Sequence, residues 1–169
     1  MLDSCNSKHY NLETGKENSN KGNGERMAQV GLLEDNARIA KMCVTMLRYV
    51  GHEVVLYEHG RACLQALSIP DGTTGEQRVA QSQERPTRLP LDVLILDLHL
   101  ADIDGMEVLQ RLRSHPHTQS LPLIVCTAAT STEIARALRI VPDAVLISKP
   151  FHLYTLVSAI SDLLEKASK

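Results

Sequence analysis

Apolar and polar positions alternate in blocks along most of the chain, and the blocks change period in a regular way. Ala28 to Leu33 (AQVGLL) is a short apolar run that stops at Glu34-Asp35-Asn36. Asn36 is a good helix N-cap, and Ile39, Cys43, Met46 and Val50 then recur at helical spacing up to Gly51. Together they predict a strand, an acidic corner, a helix and a stop. His52 to Tyr57 (HEVVLY) predicts a second strand and Arg61 to Leu67 a second, shorter helix. Asp92 to Gly105 (DVLILDLHLADIDG) holds the apolar run Val93–Leu96, which suits a strand buried on both faces and ends on the carboxylate Asp97. A helix from Gly105 to about Arg113 follows, with Asp104 as N-cap and Glu107 completing a capping box. Leu121 to Cys126 (LPLIVC) predicts the fourth strand, Thr132 to Ile140 a weak helix and Ala144 to Ile147 (AVLI) the fifth strand. The last helix runs from about Leu153 to Lys166, with Leu153, Leu156, Val157, Ile160 and Leu164 on one face.

Five strands alternating with five helices predict an α/β domain with a doubly wound, five-stranded parallel sheet and right-handed crossovers. Two stretches fall outside the rhythm. Residues 1 to 27 are too polar to offset their ordering entropy by burial and are expected to form a disordered N-terminal tail, leaving a domain over 28 to 167. Residues 70 to 90, with three prolines and two glycines, predict a long disordered loop. Because it joins a helix to the next strand, it is expected at the amino ends of the strands, away from Asp97.

Composition narrows the function classes. A chain of 169 residues with 43% hydrophobic and 22% charged residues fits one ordinary globular domain. The formal net charge of −2 gives no basic footprint for nucleic acid and no polybasic address for a membrane. With no spanning-length apolar run and no secretory signal, a cytoplasmic location is expected. The cysteines, Cys5, Cys43, Cys63 and Cys126, lie far apart and read as buried, reduced thiols.

The candidate chemistry gathers at the carboxyl ends of the predicted strands. The first ends on Glu34 and Asp35, the third on Asp97, the fourth on Thr127 and the fifth on Lys149. In the strand order 2-1-3-4-5 the first and third strands are neighbours where the winding reverses, which is where such folds bind ligands. Three carboxylates so placed call for a cation, and oxygen-only ligation suits Mg²⁺. A hydroxyl and an ammonium beside Asp97 suit a carboxylate nucleophile that accepts a phosphoryl group.

With Glu34-Asp35, Asp97, Thr127 and Lys149-Pro150-Phe151 in order at strand ends, and Gly105 eight residues after Asp97, the chain resembles a response-regulator receiver domain of two-component signalling, of the stand-alone type. The resemblance covers about Ala28 to Ala167 and implies the flavodoxin-like receiver fold. It implies that Asp97 is the phosphoacceptor, taking its phosphoryl group from a sensor histidine kinase or a histidine phosphotransfer protein. Glu34, Asp35, Asp97 and the backbone carbonyl of His99 would hold Mg²⁺. Thr127 would move toward the phosphoryl oxygens, Lys149 would pair with them, and Lys149-Pro150 would be a cis bond. Such a receiver is a signalling module and no enzyme in the ordinary sense. Its output would pass through an unidentified downstream protein, with phosphorylation-dependent homodimerisation left open.

Two positions depart from the family's habit. Leu146 stands where an aromatic often follows the threonine inward, and Ala101 where proline is common. Leu146 supports the alternative of a phosphorylation-independent, receiver-like scaffold; the intact acidic set argues against it. A phosphohydrolase using an aspartyl phosphate would usually carry a second acid where His99 stands, and the EDNAR turn lacks the glycines of a nucleotide-binding loop. His115 and His117 flank Pro116 without further metal ligands.

Overall fold

A computed structural model of the chain describes residues 27–69 and 89–167. The expected N-terminal tail, apart from Met27, and nearly all of the expected loop at 70 to 90 lie outside the described residues, as does Cys5.

The elements follow in strict alternation: β1 (Gln29–Leu33), α1 (Ala37–Tyr49), β2 (Glu53–Tyr57), α2 (Gly60–Ala66), β3 (Val93–Leu96), α3 (Gly105–Ser114), β4 (Leu123–Thr127), α4 (Ser131–Ile140), β5 (Val145–Ser148) and α5 (Leu153–Ala167). All strand pairs are parallel and the order is β2-β1-β3-β4-β5, the doubly wound arrangement that the sequence predicts.

Alternation along each strand sends side chains to two cores. Leu33, Leu94, Leu96, Leu123 and Val125 meet Cys63 and Leu64 of α2, Met106, Val108, Leu109 and Leu112 of α3, and Ala137 of α4. Val30, Leu32, Val93, Ile95, Ile124, Cys126 and Ile147 meet Cys43 and Leu47 of α1 and Leu156, Ala159, Ile160, Leu163 and Leu164 of α5. All four β3 residues are buried, as expected of a strand covered on both faces, whereas in β2, at the sheet edge, only Val54 is. The three described cysteines are free and buried, and burial pushes the Cys63 and Cys126 thiols up to about 12.

Several boundaries carry their own chemistry. Asn36 Oδ1 caps α1 by accepting from the backbone N–H groups of Arg38 and Ile39. At the other end Gly51, at φ +96°, donates to Arg48 O at 3.0 Å while His52 N donates to Leu47 O at 3.0 Å. This is a Schellman turn, whose left-handed residue favours glycine. The buried stripe of α1 is Ala40, Cys43 and Leu47, rotated one position from the predicted one. Nearly every residue from Ile39 to Leu47 on that side is apolar, so periodicity alone did not fix the rotation.

Asp104 caps α3 through Met106 N at 2.9 Å, but the predicted capping box does not form. Glu107 pairs instead with Arg111 one turn on, a competing cation that the box pattern ignores. The connection before β3 is placed as expected at its described end: Asp92 N donates to Gln29 O at 2.8 Å, and Asp92 Oδ2 accepts from Gln29 N at 2.9 Å. Gln29 opens β1, so this flank lies at the amino edge of the sheet, opposite Asp97.

Candidate functional site

Backbone pairing carries Glu34, Asp97 and Lys149 one step past their strands and leaves Thr127 at the last position of β4. Asp97 N donates to Leu33 O (3.1 Å), Glu34 N to Tyr57 O (3.1 Å) and Lys149 N to Thr127 O (2.9 Å). The ladders thus hold Glu34, Asp97, Thr127 and Lys149 on the carboxyl rim, where the strands can no longer supply partners for their side chains. Glu34, Asp97 and Thr127 are buried there.

Lys149 is the hub. Its Nζ lies 2.5 Å from Glu34 Oε2 and 2.7 Å from Asp97 Oδ2. The remaining oxygens are also engaged: Glu34 Oε1 accepts from Asn36 N at 3.2 Å and Asp97 Oδ1 from His99 N at 3.2 Å. Burial by itself would raise the Asp97 carboxyl. The bonds from Lys149 and from the His99 backbone, the Lys149 charge and the Thr127 hydroxyl outweigh it and hold Asp97 below its ordinary value. Burial likewise opposes the Lys149 charge, and the bonds to Asp97 and Glu34 overcome it, raising that ammonium. Asp97 is therefore an ionised carboxylate, the form a nucleophile needs. Thr127 Oγ1 accepts from Ala129 N at 3.2 Å, and the Lys149–Pro150 bond is cis.

Asp35 takes a different direction from its neighbour. Its Oδ2 accepts from Ala101 N at 2.9 Å, tying the β1–α1 corner to the segment after β3. Among the described residues no three His, Cys, Asp or Glu side chains stand as a group that could hold a metal ion. Lys149 draws Glu34 and Asp97 to itself, and Asp35 is turned to Ala101. The donor set is nevertheless all oxygen, with three carboxylates against one ammonium, and that excess of negative charge has the chemistry of a hard divalent cation site.

Two carboxylates outside the predicted set shape the same rim. Asp102 Oδ1 and Oδ2 accept from Gly60 N (2.9 Å) and Arg61 N (3.0 Å), so the segment after β3 caps α2, whose own N-cap His59 makes no side-chain bond. Glu133 forms a capping box with Thr130 at the start of α4 and faces His99 Nε2 at 3.3 Å. The Thr130-Ser-Thr-Glu133 spacing is a legible capping signal. Neither long-range partner had one.

The response regulator receiver domain family matches residues 30–161 of the chain. The chain belongs to this family. Over 140 residues the receiver is 31% identical to a probable transcriptional regulatory protein of Picosynechococcus, covering 82% of this chain and 50% of that protein. The chain spans half or less of the length of the curated relatives it matches. Two solved structures show the same fold. One is the signal receiver domain of a signal transduction histidine kinase from Syntrophus aciditrophicus, with a TM-score of 0.65 at 21% identity, covering 84% of this chain and 93% of that one. The other is the chemotaxis protein CheY4 of Vibrio cholerae, with a TM-score of 0.63 at 23% identity, covering 82% of this chain and 100% of that one. No helix among the described residues of the receiver is long and apolar enough to cross a membrane.

Proposed function

We propose that this receiver accepts a phosphoryl group on Asp97 from the phosphohistidine of a sensor histidine kinase or phosphotransfer protein, and signals by protein contact. The observation that carries the reading is the state of Asp97. It is a buried carboxylate held ionised, its Oδ2 on the Lys149 ammonium at 2.7 Å and its Oδ1 on a backbone N–H. In the transfer a carboxylate oxygen bonds to phosphorus as the phosphorus–nitrogen bond breaks, and the departing histidine ring keeps the electron pair. Lys149, already bonded to the Asp97 carboxylate, neutralises charge on the transferred group, and the buried Thr127 hydroxyl offers it a hydrogen bond.

Glu34, Asp35, Asp97 and the backbone carbonyl of His99 are the groups that would hold Mg²⁺. When bound, the ion supplies positive charge to the phosphoryl oxygens. The protein acts as a cytoplasmic signalling module whose chemistry is confined to its own aspartate, and its described surface is given no role on nucleic acid or membrane.

The test is incubation with a small phosphodonor, with and without Mg²⁺, of the parent and of Asp97→Asn. Labelling of the parent that needs Mg²⁺ and disappears in Asp97→Asn is expected. Unchanged labelling of the variant removes Asp97 as acceptor, and a parent that no donor labels points to a phosphorylation-independent scaffold.

A further inference from the structure

Asp35 Oδ2 accepts from the Ala101 backbone N–H at 2.9 Å, across 66 positions of sequence. Ala101 is one of the two positions that depart from the family's habit, and the departure is chemical, because proline there would have no N–H to give. The bond is therefore a property of this chain rather than of its fold.

The donor is the fixed partner. The next residue, Asp102, accepts from Gly60 N (2.9 Å) and Arg61 N (3.0 Å). Ile103 is buried against Gly60, its Cγ2 2.3 Å from where a β-carbon on that glycine would stand. Gly105 N closes the segment on Leu98 O at 3.1 Å. Held by the two residues after it, Ala101 cannot follow Asp35. Asp35 is the movable partner: it stands half-buried at the corner between β1 and α1. Glu34 beside it is buried and held at both oxygens, by Lys149 and by Asn36 N.

As it stands, Asp35 is not grouped with other metal-ligating side chains among the described residues. We propose that the Ala101 N–H is a latch on Asp35 that lowers this receiver's affinity for Mg²⁺, because Asp35 joins Glu34 and Asp97 only by giving up that bond. The proposal rests on the reading of these three carboxylates as the Mg²⁺ set. A site that is competent for only a fraction of the time binds more weakly by that fraction, and the latch sets the fraction. By linkage the effect runs both ways, so a bound cation opens the latch as much as the latch weakens the cation. Opening it also releases the segment after β3 from the β1–α1 corner, so that segment registers whether the site is filled.

The experiment titrates the full chain with Mg²⁺ and follows the backbone amide resonances of Glu34 and Asp97, for the parent, Ala101→Pro, Asp35→Ala and the double variant. Ala101→Pro is expected to bind at about three- to ten-fold lower Mg²⁺, the worth of one net hydrogen bond. In the Asp35→Ala background, where there is nothing to latch, the same proline should leave the midpoint unchanged to within about a factor of two. Proline also restricts Leu100, so a second measurement uses the unaltered chain. Hydrogen exchange of the Ala101 amide should speed up on saturation with Mg²⁺ by about the factor by which Ala101→Pro tightens binding. A parent whose resonances do not move with Mg²⁺ overturns the cation reading and the latch together. With Mg²⁺ bound by the parent, three results overturn the latch alone: an unchanged or higher midpoint in folded Ala101→Pro, equal tightening in the Asp35→Ala background, or Ala101 exchange that Mg²⁺ leaves unchanged or slows.

Discussion

Lys149 donates to Asp97 Oδ2 at 2.7 Å with little of either side chain in solvent, 13% and 10% exposed. The same ammonium also holds Glu34, whose side chain is 4% exposed. Removing Lys149 leaves two buried carboxylates at one strand rim with no cation between them. Lys149→Ala is therefore expected to destabilise the protein by about 3 kcal/mol, as for other broken buried pairs. Urea unfolding at neutral pH in the presence of chelator measures it, and an effect below about 1 kcal/mol would show that the pair is solvated in practice.

Asp102 gives a pH dependence whose sign follows from its partners. Burial would raise its carboxyl, but the backbone N–H groups of Arg61 and Gly60 hold it below the ordinary value. A group depressed on folding contributes stability that is present above its unfolded pKa, about 3.9, and is lost as pH falls through the lower folded value. Asp102→Ala is expected to cost about 1 kcal/mol at neutral pH, the usual worth of an N-cap. The gap between parent and variant in denaturant midpoint should close as pH falls below about 4, and a gap that widens there would contradict the assignment.

How much was legible in the sequence depended on the range of the interaction. β3 declared itself as four consecutive apolar residues, and the ladder that places Asp97 beside Leu33 follows once the strand order is known. Asn36 and Gly51 mark α1 by local rules. Asp102 on α2 and Asp35 on Ala101 depend on the path of the segment after β3, which has no periodicity to read. Lys149 between Glu34 and Asp97 was foreseen as a neighbour of the site; the chemistry of the residues could not say that it would engage both acids at once. Glu107 shows the converse failure, where a correct local pattern lost to a stronger local partner, Arg111.

Ser68 offers a stabilising change away from the rim. It sits at φ +59°, and the bonds Ser68 N to Gln65 O (3.0 Å) and Ile69 N to Leu64 O (2.9 Å) make the end of α2 a second Schellman turn. The left-handed conformation costs an L-residue about 1 kcal/mol or more, offset in part by the greater unfolded-state freedom of glycine. Ser68→Gly is expected to raise stability by roughly 0.5 kcal/mol. Thermal and urea unfolding should agree on the sign, and a loss of stability would mean that the Ser68 side chain contributes a contact of its own.

The acidic rim makes a prediction that needs no phosphodonor. Three carboxylates and one ammonium leave an excess of negative charge, and a cation that binds only the folded protein stabilises it by mass action. Mg²⁺ at about ten times its dissociation constant should therefore raise unfolding stability by about 1.4 kcal/mol. Lys149 competes for Glu34 and Asp97, so Lys149→Ala, though less stable without metal, should gain more from Mg²⁺ at a given concentration than the parent does. Asp35→Asn should gain less, because its amide can still accept from Ala101 N but no longer contributes charge. Urea titrations at several Mg²⁺ concentrations separate these outcomes. Equal gains in all three proteins would place the bound ion elsewhere, and a smaller gain in Lys149→Ala would show that the ammonium helps hold the carboxylates for the metal.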